Sequence, residues 1–148
     1  MCISKNIYLA DDDEDDCSFF QDALQQICIN SFLTIACDGR ELMNILHIPP
    51  CPLPDVVFLD LNMPAKNGFE CLKEIKSCNT LKKSPIIIFS TTLQEEAVNQ
   101  VYKDGASYYI RKPDNFSNLK KVLKKVLEID WTQEIGQTSK EKFIVSVV

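Results

Sequence analysis

Five short apolar runs, separated by stretches of helical spacing, leave this chain few folds to choose from. The runs are 6–10 ("NIYLA"), 32–36 ("FLTIA"), 55–60 ("DVVFLD"), 85–90 ("PIIIFS") and 107–111 ("SYYIR"), all rich in β-branched and aromatic residues. Three of them are nearly continuous in apolar character rather than alternating, the pattern of strands covered on both faces, as in a parallel sheet. Between them Phe20, Ala23, Leu24 and Ile27 fall at helical spacing, followed by Leu42, Ile45 and Leu46, then Leu72 and Ile75, then Ala97, Val98, Val101 and Tyr102. Leu119, Val122, Leu123, Val126 and Leu127 form a final apolar stripe opposite Lys120, Lys121, Lys124 and Lys125, which read as a solvated face. Strand and helix alternating in this way predict a doubly wound α/β domain with a five-stranded parallel sheet and helices on both faces.

The chain has 148 residues, the size of one ordinary domain, and 45% hydrophobic residues, enough for a real core. A net charge of −5 leaves it without the basic footprint of a nucleic-acid binder. Seven cysteines, odd in number and without a C-x-x-C, fit reduced core residues in a reducing cytoplasm better than a disulfide framework or zinc site. No apolar run approaches a membrane span, and no signal-peptide core stands at the start. The lone His47 has no second histidine to join it in a metal site, and the insert 47–55, with four prolines, reads as a stiff loop.

In an open parallel sheet, ligands bind at the carboxyl ends of the strands. Here those ends carry Asp11 and Asp12, then Asp60, then Ser90 with Thr91 and Thr92, then Lys112 and Pro113. Carboxylates, a hydroxyl and an ammonium therefore share one rim. Crowded carboxylates become tolerable around a hard divalent cation such as Mg²⁺. The remaining acids of the first run, Asp13 to Asp16, enter the first turn of a helix, where the helix dipole favours negative charge. A calcium loop would place Asp11, Asp13, Asp15 and Asp22 at ligand positions, but Asp16 stands where such a loop needs glycine and a strand precedes it.

The set "LADDD", "DVVFLDLNMPAKNG", "PIIIFSTT" and "ASYYIRKP", in this order and strand context, resembles the receiver domain of two-component response regulators over about residues 3–130. The segments "TLKKSPIIIFSTT" and "LEIDW" are similar to stand-alone regulators that partner bacteriophytochrome-type histidine kinases. The resemblance implies a flavodoxin-like strand order 2-1-3-4-5, with Asp60 as phosphoacceptor. Asp11, Asp12, Asp60 and the backbone carbonyl of Asn62 would hold Mg²⁺. Lys112 would pair with phosphoryl oxygens, Ser90 would bond them, Tyr109 would report phosphorylation by its ring position, and Asn62 and Thr92 would tune phosphoryl lifetime. Tyr108 points to the opposite face and reads as packing. Family pattern also makes the bond before Pro113 cis, the isomer only X-Pro bonds adopt cheaply.

The resemblance thus implies a receiver domain over 1–130 and a tail, 131–148, too short for an output domain. Signalling would run by contact with a downstream protein or by phosphorelay, with a phytochrome-like sensor histidine kinase as donor, no nucleic acid or membrane partner, and a homodimer through the last strand and helix. The tail "TQEIGQTSKEKFIVSVV" turns abruptly from polar to apolar, which leaves three roles open: disorder, covering a sheet edge, or pairing with another copy. Two rivals remain. A phosphatase of the haloacid-dehalogenase kind would need a second acid where Asn62 stands; an inert receiver would lack some site residue, and none is missing.

Overall fold

The computed structural model describes residues 5–27, 30–47, 53–129 and 139–145. Its strands β1 (Lys5–Ala10), β2 (Ser31–Ala36), β3 (Val56–Leu59), β4 (Ile86–Ser90) and β5 (Tyr108–Arg111) coincide with the five apolar runs to within a residue or two at each end. The helices α1 (Glu14–Gln26), α2 (Gly39–His47), α3 (Gly68–Ser77), α4 (Glu95–Lys103) and α5 (Phe116–Leu127) fill the intervals. All pairings are parallel, in the order β2-β1-β3-β4-β5 expected, with a further strand beyond β5.

The continuous apolar runs are explained by burial on both faces. In β3, Val56 and Phe58 join a core with Phe20 and Leu24 of α1 and Leu119, Val122 and Leu123 of α5. Val57 and Leu59 face the other way, toward Leu42 of α2, Leu72 and Ile75 of α3, and Val101 of α4. The period of two in the strand assigns alternate residues to the two layers. As expected, Tyr108 and Tyr109 part company, one in each layer. The helices begin where side chains can accept from their free N–H groups. Asp13 caps α1 by accepting from Asp15 and Asp16, Asn67 and Glu70 form a capping box on α3, and Asn115 caps α5. Asp13 therefore stands just outside the helix it was expected to enter.

The five-stranded expectation needs correction: among the described residues the sheet has six strands. β6 (Ile144–Val145) pairs in parallel with β5, and Tyr109 donates its backbone N–H to the Phe143 carbonyl at 2.9 Å. The outer edge of β5 would otherwise present unpaired backbone groups. Phe143, 1% exposed, supplies the driving force by packing against Tyr102 of α4 and Tyr109, with ring centroids 4.9 and 6.2 Å away. Of the three roles open to the tail, residues 143–145 take that of covering the sheet edge. Two backbone pairs cannot hold a strand alone, so the attachment depends on that ring. Phe143→Ala is expected to speed hydrogen exchange at the Tyr109 amide by at least about tenfold through local opening of β6, with the protection of β1 and β3 unchanged. Residue-resolved exchange measures both.

Of the seven cysteines, Cys17, Cys37, Cys71 and Cys78 are described, and all four are free thiols. Cys71 is a core residue as expected, Cys17 and Cys78 are half-buried, and Cys37 is exposed, so the core reading does not extend to it. Cys2, Cys28 and Cys51, and residues 48–52 of the proline-rich insert, lie outside the described residues. His47 closes α2 and shares a bond with Glu74. Among the described residues no helix is long and apolar enough to cross a membrane.

Candidate functional site

The carboxyl ends of β1, β3 and β5 bring the early acids, Asp60 and Lys112 to one place. β1 and β3 are adjacent, and the Asp60 N–H donates to the Ala10 carbonyl at 3.0 Å, which fixes Asp60 one step beyond the end of the ladder. Asp11 is pinned the same way on the other side, its N–H donating to Ala36 of β2 at 3.1 Å. Its Oδ1 accepts from the Asp13 N–H at 3.0 Å, which turns the chain into α1 and leaves Oδ2 facing the rim.

Carboxylate oxygens of Asp11, Asp12 and Asp60 lie within 4.8 Å of one another. Asp11 and Asp60 are buried, Asp12 exposed. Burial pushes the Asp11 carboxyl up to about 6, against the opposing pull of Lys112, and it raises Asp60 likewise. Lys112 is the cation that makes the arrangement tolerable. Its Nζ sits 2.8 Å from Asp11 Oδ2, 2.8 Å from Asp16 Oδ2 and 3.3 Å from Asp60 Oδ2. Burial alone would lower the Lys112 pKa, but its bonds to Asp11 and Asp16 and the charge of Asp60 win, and the net shift is upward. The ammonium stays charged.

Asp11 Oδ2, fully buried, has the Lys112 ammonium at 2.8 Å as its partner among the described residues. Three converging carboxylates, two of them buried and sharing one ammonium, fit a hard cation with oxygen ligands.

The loop after Asp60 is shaped by backbone. The N–H groups of Leu61 and Asn62 point at the Asp60 carboxylate and oppose its upward shift. Lys66 donates its N–H to Pro64 at 2.7 Å across Ala65, whose φ of 66° marks a tight turn of the strained, positive-φ kind. The Gly68 N–H then returns to the Leu61 carbonyl at 3.0 Å. A Cβ on Gly68 would lie 2.2 Å from the Asp60 carbonyl oxygen, so only glycine lets α3 start this close to Asp60.

Ser90, Thr92 and Tyr109 form a second group, joined to the first through backbone. The Lys112 N–H donates to the Ser90 carbonyl at 2.9 Å. The fully buried Ser90 hydroxyl accepts from the Thr92 N–H at 3.4 Å, and the Tyr109 hydroxyl donates to the Thr92 carbonyl. Tyr109 thus lies beneath the β4–α4 loop, with its hydroxyl pKa raised by burial and, to a lesser degree, by the charge of Asp60. Asn62 is exposed beside Asp60, and Thr92 is half-buried. Reading the sequence missed two contributors, Asp16 and Gly68. Asp16 lies four residues before Phe20, on the core-facing stripe of α1, a placement readable from spacing alone.

Residues 7–124 match the profile of the response regulator receiver domain. Response regulator Rcp1 of Synechocystis sp. is 31% identical over 135 residues, covering 88% of this chain and 91% of that protein. The crystal structure of the phosphorylated cyanobacterial phytochrome response regulator RcpA superposes with a TM-score of 0.80 at 33% identity, covering 88% of this chain and 96% of the other. The Mn²⁺-bound form of Rcp1 gives 0.77 at 29% identity, covering 91% and 99%. This chain belongs to the response regulator receiver domains, and it is built for phosphorylation-based signalling.

Proposed function

We propose that Asp60 accepts a phosphoryl group from a histidine kinase while Asp11, Asp12 and Asp60, with the Asn62 carbonyl, hold Mg²⁺. The observation that carries this reading is the shared cluster itself: Asp60 and Asp11 meet one Lys112 ammonium where three carboxylates converge. When bound, the ion neutralises charge on the carboxylates and on the incoming phosphoryl oxygens. Asp60 supplies the attacking oxygen, held in place by the N–H groups of Leu61 and Asn62, and Lys112 meets the phosphoryl oxygens. The chain acts on itself in gaining and losing that group and turns over no other substrate. Asn62 and Thr92 flank the path by which water would reach the ester and set its lifetime. Incubation with Mg²⁺ and a small acyl phosphate, followed by intact mass measurement, is expected to give one phosphoryl adduct, absent from Asp60→Asn and without magnesium. No adduct on the unaltered chain, or an equal adduct on Asp60→Asn, would refute the assignment.

The donor is a sensor kinase of the phytochrome class, in line with the similarity to RcpA and Rcp1. The free thiols suit a reducing cytoplasm as the working compartment. Output runs through the β4–α4 loop. A new, nearly dianionic charge on Asp60 draws Ser90 and Lys112 toward it. The Thr92 carbonyl, which holds the Tyr109 hydroxyl, moves with that loop, and Tyr109 bears on Phe143. The surface of α4, β5 and β6, including the exposed Ile144, is therefore the face offered to a downstream protein, a phosphotransfer protein or a second copy.

A further inference from the structure

Lys112 makes one of its two closest contacts to a residue outside the acidic trio. Its Nζ donates to Asp16 Oδ2 at 2.8 Å, as close as its ion pair with Asp11 Oδ2 at 2.8 Å, whereas the bond to Asp60 is long at 3.3 Å. An ammonium has three N–H donors and can serve three carboxylates at once. Asp16 sits in the first turn of α1, four residues before the buried Phe20, so the helix phase aims it at the β5–α5 loop. Its own N–H is held by the cap residue Asp13 at 3.2 Å, so the carboxylate is positioned at both ends. Lys112 is nearly buried, with a side chain 11% exposed, and cannot simply swing into water.

We propose that Asp16 is a positioning residue that berths Lys112 when a divalent cation takes over Asp11 and Asp60. The inference rests on the metal-binding reading above. A divalent cation and the Lys112 ammonium compete for the same two carboxylates and repel each other at close range. Asp16 lies outside the set of converging ligands, which is Asp11, Asp12 and Asp60. It therefore gives the ammonium a partner that the metal does not claim, and keeps it beside Asp60 for the phosphoryl oxygens. Without Asp16, Lys112 falls back on Asp11 and Asp60 and opposes metal entry.

The test is a double-mutant cycle read by calorimetric titration of Mg²⁺ into the full chain. Asp16→Asn is expected to weaken Mg²⁺ binding by about tenfold, the scale of one hydrogen bond to a charged group. Asp15→Asn removes the same charge from the same turn at an exposed position, and is expected to weaken binding by no more than about twofold, since surface charge is screened. In a Lys112→Met background the Asp16→Asn effect should shrink to the Asp15→Asn level, because the residue that Asp16 acts through is gone. Asp16→Glu, which keeps the charge, should stay within about threefold of the unaltered chain and serves if Lys112→Met does not fold. Equal effects of Asp16→Asn with and without Lys112, equal effects of Asp15→Asn and Asp16→Asn, or no recovery in Asp16→Glu would overturn the proposal. Failure of the unaltered chain to bind Mg²⁺ would instead remove the reading beneath it, and the proposal with it.

Discussion

Gly68→Ala is expected to lower stability by about 3 kcal/mol, near the top of the range for forcing an extra carbon into a packed site. Two effects oppose each other. Alanine in place of glycine favours a helix by about 1 kcal/mol in a helix interior. Against this, the new Cβ would lie 2.2 Å from the Asp60 carbonyl oxygen and 2.8 Å from Leu61 Cα, both backbone atoms that cannot rotate away. The clash wins, because relief requires α3 to retreat and break the Gly68-to-Leu61 hydrogen bond. A thermal melt should show a fall of roughly 10 °C for a domain of this size. The same retreat displaces the peptide that carries Asp60, so phosphorylation should fall further than stability alone explains. An unchanged melting temperature would mean that α3 does not approach Asp60 this closely.

Lys112→Ala is expected to slow phosphorylation by about 10²–10³-fold, the scale for losing one preorganised charge-stabilising donor. Metal affinity should move the opposite way. With the ammonium gone, Asp11, Asp16 and Asp60 lose their only shared cation among the described residues, and a divalent ion meets no competitor. Mg²⁺ binding should therefore tighten while transfer slows. Metal-free, the variant should lose up to about 3 kcal/mol, at the low end for breaking a buried ion pair, because Asp11, already pushed up to about 6, can take up a proton. Titration calorimetry and a phosphorylation time course on one preparation separate the two effects. Weaker metal binding together with slower transfer would make Lys112 a structural prop.

Most of the fold was legible because a parallel sheet covered on both faces leaves a simple trace. β3 and β4 are buried along their whole length, and their sequences are apolar without a break up to Ser90. β2, an edge strand with mixed burial, left a weaker trace that still sufficed. β6 was not legible. Its apolar residues follow a polar stretch with no helix period between, and only the recess between Tyr102 and Tyr109 decides where Phe143 goes. The site was legible in its parts because each strand ends in a residue whose chemistry is unusual there. What composition and motif alone leave unread is direction. Six acids in a row look alike until the phase of α1 turns Asp16 inward and leaves Asp15 outside. Gly68 was hidden for a similar reason, since its role depends on how near α3 starts to the end of β3.

The most direct measurement is a beryllofluoride titration in the presence of Mg²⁺, followed by backbone amide shifts. Saturable binding that needs the metal, disappears in Asp60→Asn, and shifts the amides of Ser90, Thr92 and Tyr109 is the result predicted. Binding that survives Asp60→Asn undiminished, or none at all by the unaltered chain, would contradict the claim that these loops form one metal-dependent phosphoacceptor site.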